Sequence, residues 1–192
     1  MNNEAAVDRI VGERLRSLRK ARNMPVEALA RASERSIGYV SQIERGLSSP
    51  TLRDVAVFAR VLEVPFVELL KQPVSPELDE PVRRHSDQSF VGFRGTGIRK
   101  RLLAPRNHGA IDFYLMKIEV GGTTGATPYS HDGEEAGLVI KGVIQLTVGD
   151  REYRLAEGDS FRFRSRIEHK FSNCAAEPAE VLWINVASSR TR

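Results

Sequence analysis

Cysteine is nearly absent. Cys174 stands alone among 192 residues, which excludes an internal disulfide framework and fits a reducing compartment. Long apolar runs are also missing. No stretch approaches the ~20 residues that a membrane span needs, and polar residues follow Met1 where a signal peptide would be apolar. The expectation is a cytoplasmic protein with no membrane partner. Charge of one sign is not in large excess. A net charge of +4 is too mild to establish nucleic-acid binding by composition. Internal repeats and low-complexity segments are lacking too. What is present, 41% hydrophobic and 28% charged residues, is the composition of a soluble globular chain long enough for one or two domains with a buried core.

The charge is unevenly placed. Arg9, Arg14, Arg16, Arg19, Lys20 and Arg22 crowd one segment against a single acid, Glu13. The same segment carries Val7, Ile10, Val11, Leu15 and Leu18 at helical spacing, so a helix is expected over Val7–Ala21. Further helices are expected at Val26–Ala32, Ile37–Arg45, about Thr51–Leu62 and Pro65–Leu70. Pro25 is tolerated in a first turn, Gly46 falls where a left-handed C-cap is wanted, and Pro50 stops continuation. Ala30 is small enough for the second and third helices to cross closely, leaving the third to stand out toward a DNA major groove.

The run Ser41-Gln-Ile-Glu-Arg-Gly-Leu-Ser-Ser-Pro-Thr-Leu52 resembles the phage-repressor-type (Cro/C1, XRE) helix-turn-helix family. The resemblance implies a five-helix head, with the third helix as recognition helix. Ser36, Ile37, Gly38, Tyr39, Ser41 and Gln42 then face DNA. Gln42 is expected on adenine, Ile37 on a thymine methyl, and Tyr39 stacking or on phosphate. Arg45, Ser48, Ser49 and Thr51 correspond to the phosphate-touching loop. Arg19 and Glu44 match a shielded ion pair. The chain departs from the family at Val26, where many relatives have Gln, and at Glu34-Arg35, where the turn commonly holds Gly and an apolar residue. That turn must be built differently.

Residues 72–89 change character. Pro73, Pro76 and Pro81 with interspersed charges oppose helix and sheet pairing, so a semi-extended linker is expected between a head at 1–71 and a second domain at 90–192. From Phe90 the apolar period becomes two. Strands are expected at Ile111–Val120, Gly137–Lys141, Val143–Val148, Glu152–Leu155, Ser160–Arg164, His169–Ser172 and Val181–Val186, separated by glycine turns, as in a sandwich or barrel. The whole chain is thus an α+β protein of two domains.

Within this region His131, Glu135 and Gly142 fit the first motif of the cupin superfamily, H-x-H-x(3,4)-E-x(6)-G, and His169 with Asn173 fits the second, H-x3-N. The resemblance implies a cupin β-barrel, a double-stranded β-helix. In metal-binding cupins three histidines and a glutamate hold a divalent ion. Here Tyr129 replaces the first histidine. His131, Glu135 and His169 remain as ligands for zinc, iron, nickel or manganese, with Tyr129 as weak fourth ligand or hydrogen-bond donor; the alternative is a metal-free pocket that binds an organic effector directly. Tyr114, Met116, Arg162, Phe171, Trp183 and Asn185 are candidate inward positions. Of these Tyr114, Arg162 and Trp183 join Tyr129, His131, Glu135 and His169 as expected effector contacts. Arg162 would bind a carboxylate, although Phe161 and Phe163 alternate with it and could turn it to solvent.

Together the domains resemble bacterial regulators with an XRE head and a C-terminal cupin, notably the group containing the putrescine-utilisation repressor. This implies a homodimeric repressor of operator DNA, not an enzyme, controlled by a polyamine or amino-acid effector. The competing reading is a metal-dependent cupin enzyme, an oxygenase or isomerase, with a helical N-terminal domain.

Overall fold

The computed structural model describes residues 3–70, 81–88, 90–93, 96–105 and 110–187. Apolar residues at helical spacing build the first domain. α1 (Asn3–Ala21) buries Val11 and Leu15, α2 (Val26–Ala32) Leu29 and Ala30, and α3 (Ile37–Glu44) Val40 and Ile43. α4 (Leu52–Val61) adds Leu52, Val55 and Phe58, and α5 (Phe66–Leu70) Phe66 and Leu69. No helix among the described residues is long and apolar enough to cross a membrane.

Two local details set the third helix. Glu34 takes the left-handed conformation (φ 56°) that glycine adopts most readily, so here an acidic residue makes the turn. Arg35 beside it reaches α4, its Nε donating to Asp54 Oδ1 at 2.8 Å. At the other end Arg45 is the C-cap, and Gly46 follows it in the left-handed conformation (φ 67°) that ends the helix. Gly12, in the middle of α1, lies where a Cβ would run into the Ile43 carbonyl, so α1 and α3 meet backbone to backbone.

The second domain is all antiparallel. Its strands are β1 (Phe90–Phe93), β2 (Ile98–Leu102), β3 (Ile111–Ile118), β4 (Glu134–Lys141), β5 (Val143–Val148), β6 (Arg151–Ala156), β7 (Ser160–Arg164), β8 (His169–Ser172) and β9 (Ala179–Val186). One sheet runs β1-β2-β3-β9-β4-β7 and the other β6-β5-β8. β1 and β2 were not among the expected strands. Their residues are basic and glycine-containing, so their alternation is weak in sequence. Along β3, Asp112, Tyr114, Met116 and Ile118 are buried, and along β9 Ala179, Val181, Trp183 and Asn185. These rows face β5 and β8, where Ile144, Leu146 and Phe171 complete the core. Of the expected linker, 72–80 and 89 fall outside the described residues, and His85–Asp87 forms one 3-10 turn.

The two domains touch. Tyr129 from the barrel belongs to the same apolar cluster as the helical core, and α1 lies against β1.

Candidate functional site

The DNA-facing candidates divide into two groups. Ile37, Gly38 and Gln42 point outward, with Ile37 49% exposed. Arg45 is exposed, its Nε donating to the Ser41 carbonyl at 3.2 Å; Ser41, Ser48 and Ser49 are half-buried. Three others have structural duties. Ser36 is the α3 N-cap, accepting from the Tyr39 amide. Thr51 closes a capping box with Asp54 at the start of α4. Tyr39 donates its hydroxyl to Asp54 Oδ2 at 2.9 Å, so it is held against α4 rather than standing free to stack. Asp54 is the hub of this corner. Burial pushes its carboxyl up, but hydrogen bonds from Thr51, Arg35 and Tyr39 outweigh that and hold it below its ordinary value. Leu47, 67% exposed in the loop after α3, is an apolar group on this face that the sequence reading passed over.

The shielded pair is present. Arg19 Nε and Nη2 donate to the two Glu44 oxygens at 2.5 and 2.7 Å, and Nη1 donates to the Met24 carbonyl at 2.7 Å. The basic run of α1 is therefore not one phosphate-facing surface. Arg19 serves α3, Arg14 pairs with Glu68 on α5, and Arg9 lies 3.3 Å from Glu13.

In the barrel, local turns bring the motif residues together. Tyr129 and His169 exchange backbone hydrogen bonds, and the His131 amide donates to the Ser165 carbonyl. Gly133 turns the chain into β4, putting Glu135 on the inner face opposite Asn185. His131 Nε2 lies 2.7 Å from Glu135 Oε1, and His169 Nε2 3.7 Å from the same oxygen. Trp183 Nε1 donates to Glu135 Oε2 at 3.0 Å. Burial raises the Glu135 pKa, but the His131 hydrogen bond and the charges of His169, His131 and Lys100 bring it below the ordinary value. His169 is fully buried, and burial lowers its pKa, so the neutral imidazole is favoured. Its Nδ1 engages the Ile167 carbonyl at 2.8 Å, while Nε2 has no hydrogen-bond partner among the described residues.

The ligating atoms of His131, Glu135 and His169 lie within 4.8 Å of one another. Two imidazoles and a carboxylate with an orphaned buried Nε2 form a donor set that fits a divalent ion. Tyr129 is buried beside them, its ring 4.4 Å from that of His169. Burial and the Glu135 charge push its phenol well above the ordinary value, which favours a neutral hydrogen-bond donor over a phenolate ligand.

Arg162 corrects the sequence reading. It lies on the outer face of β7, 74% exposed, and its Nη2 donates to Glu134 at 2.6 Å; Phe161 and Phe163 take the inner positions. Among the described residues a cation that does turn into the barrel is Lys100 on β2, 6% exposed. The signal was a charge at the middle of the Ile98–Lys100–Leu102 alternation. Asp112 and Asn185 are also inward and buried. Asn173 is buried but structural: its Nδ2 donates to the Ile118 and Glu177 carbonyls.

The site opens toward the helical domain. Phe66 stacks on His131, and a cleft of about 550 Å³ beside it is lined by Ala56, Ala59, Arg60 and Glu63 from the head and Ser130, Asp132 and Arg166 from the barrel.

Two protein families match parts of the chain. Residues 10–71 match the family described as Helix-turn-helix domain, and residues 114–185 the family described as Cupin domain. The chain is 27% identical over 165 residues to the HTH-type transcriptional regulator PuuR of Escherichia coli (strain K12), covering 86% of this chain and 88% of that one. It is 26% identical over 167 residues to SutR, another HTH-type transcriptional regulator of Escherichia coli (strain K12), with the same 86% and 88% coverage. Among solved structures, an HTH_3 family transcriptional regulator from Vibrio cholerae shares the fold with a TM-score of 0.73, at 21% identity over 96% of this chain and 99% of that one.

Proposed function

We infer, for a chain that is a helix-turn-helix transcriptional regulator with a C-terminal cupin domain, that the head holds operator DNA and the barrel senses a small molecule that releases it. The supporting observation is the pairing of an outward-facing α3 with a buried barrel site that retains an orphaned polar atom, His169 Nε2. On this reading Ile37, Gly38 and Gln42 read bases, and Arg45, Ser48 and Ser49 touch phosphates. Repression is the default mode, and the effector is an amine or amino acid.

The working unit is a homodimer. Outward residues Leu115, Leu182 and Leu138 share one register across β3, β9 and β4, and Leu138 and Ile140 remain 39% and 43% exposed. An apolar face of this kind suits a second copy, which would set two recognition helices on half-sites ~34 Å apart or a multiple of it. Leu138→Glu with Ile140→Glu then yields a monomer by light scattering.

His131, Glu135 and His169 would hold a divalent ion, leaving a position open for a ligand atom. The same triad favours a second reading, a metal-dependent enzyme. Metal analysis combined with turnover assays separates the two.

The deciding experiment is operator binding. The purified protein is titrated onto fragments upstream of its own and adjacent genes at fixed salt, with and without amines and amino acids. Specific binding weakened by one compound is expected. Gln42→Ala should relax sequence preference, and Arg45→Ala should weaken binding to all sequences and lower the salt slope by about 1. Absence of specific binding at any moderate salt would overturn the regulator reading.

A further inference from the structure

The cleft beside His131 takes one wall from each domain. On the head side α4 and the turn after it present Ala56, Ala59, Arg60 and Glu63, residues spaced to share one helical face. The two alanines are buried and too small to fill the space, and Val64 and Pro65 extend the same apolar floor. On the barrel side stand Asp132 and Arg166. The volume of about 550 Å³ is that of a small-molecule site, and such sites favour domain boundaries.

The charges in the cleft do not cancel. Arg166 Nε donates to Asp132 Oδ1 at 2.8 Å, which neutralises that acid and uses one of the five N–H groups of the guanidinium. Both side chains are exposed, so the pair is loosely held and the other N–H groups of Arg166 can take a second acceptor. Glu63 is already engaged. Arg60 makes no side-chain hydrogen bond or ion pair among the described residues. The excess is therefore positive, with a guanidinium on each wall.

We propose that this cleft binds a small organic acid, its carboxylate held between Arg60 of the head and Arg166 of the barrel. The proposal rests on the reading of the chain as a small-molecule sensor. It places the acidic end of the effector between the domains and selects compounds that carry a carboxylate over amines that lack one.

Guanidinium and carboxylate match in shape, since two parallel N–H groups can meet two oxygens. The apolar floor adds a surface for a carbon chain, which inorganic phosphate does not have. The position also gives the ligand a hold on the DNA-binding face. Six residues back along α4 from Arg60, about 9 Å, Asp54 accepts the hydroxyl of Tyr39 on α3. A carboxylate that ties Arg60 to Arg166 thus ties the helix behind α3 to the barrel and fixes the angle of the head.

The test is titration calorimetry on the full-length protein at low, fixed salt, because exposed charges are screened. The probes are acetate, succinate, glutarate, glutamate, inorganic phosphate and 1,4-diaminobutane, with operator release followed in parallel. At least one organic acid is expected to bind, and more tightly than phosphate or the diamine. Arg60→Gln and Arg166→Gln should each weaken it about tenfold or more. Asp132→Asn, which removes an acid from the cleft and frees Arg166, should strengthen it. All three side chains are exposed, and thermal melting checks that the variants fold. An acid that binds wild type and Arg60→Gln equally well overturns the proposal and leaves the sensor reading standing. Operator release by the diamine with no effect of any acid does the same. Phosphate that binds as tightly as the best acid also overturns it, since the cleft would then select charge alone. A protein that responds to no amine, amino acid or organic acid removes the sensor reading and this proposal with it.

Discussion

The ring of Phe66 on α5 lies flat on the imidazole of His131, centroids 4.3 Å apart and planes 7° apart, so a helix of the DNA-binding head covers one residue of the barrel's candidate ligand set. The same helix is tied to α1 through Glu68 and Arg14, and α1 holds the end of α3 through Arg19 and Glu44. Any change in the His131 side chain therefore has a packed route to the recognition helix.

Phe66 is 3% exposed, and truncating it opens a cavity shared by both domains. Phe66→Ala should cost about 3–5 kcal/mol. The two domains should then melt in separate calorimetric steps, whereas the wild type melts in one. A variant that still unfolds in a single step would show that the stacking does not couple them.

Arg19 and Glu44 form a shielded pair, their side chains 12% and 6% exposed. Removing either strands the other charge, so Arg19→Met and Glu44→Gln should each cost about 3–5 kcal/mol. The double variant should lose clearly less than the sum, because neither charge is then left behind. Urea titration of the four proteins measures this; additive losses would mean the two side chains act independently.

Two glycines on adjoining helices should respond oppositely to alanine. At Gly12 the new methyl group meets the Ile43 backbone, which cannot yield, and a loss of about 1–3 kcal/mol is expected despite the better helix propensity of alanine. At Gly38 nothing lies within 4 Å of the added carbon, and a gain of up to ~1 kcal/mol is expected. Thermal melting of the two variants decides it.

The metal-free protein should lose stability as the pH falls below about 6.5, because burial depresses the His169 pKa and the unfolded chain binds a proton that the native site resists. On the alkaline side Lys100 titrates near 8 in the native chain against 10.5 when exposed, so stability should rise with pH from about 8 until the tyrosines begin to ionise in the unfolded chain near 10. In urea titrations across this range Lys100→Met should abolish the alkaline rise and keep the acid loss. A flat profile above pH 8 in the wild type would mean that Lys100 is better solvated than its burial indicates.

Much of the architecture was legible in the residues. Helical spacing, Gly46 after α3 and the alternation of β3, β8 and β9 are local signals, and each side chain needs only its neighbours in sequence to make them. Arg19 with Glu44 and His131 with Glu135 and His169 were readable as pairs and sets because family spacing carries them. The orientation of Arg162 was not. The alternation Phe161–Arg162–Phe163 left both faces open until pairing with β4 fixed which was inside. Tyr39 looked like a DNA contact because nothing nearby in the chain reveals that Asp54, fifteen residues on, would claim its hydroxyl, whereas the tie of Thr51 to Asp54 is a capping box whose three-residue spacing is local.

By itself, the sequence determined a helical region followed by a strand-rich one, since these follow from periodicity along one chain, and its resemblance to known families marked the third helix and the two imidazoles and carboxylate of the barrel. Only the tertiary structure decided that Lys100 and Asp112 line the barrel beside Tyr114 and that Phe66 seals the contact with His131. Those relationships join strands and helices far apart in sequence. They arise from strand register and domain packing, where burial, rather than local preference, selects which charged side chain goes inside.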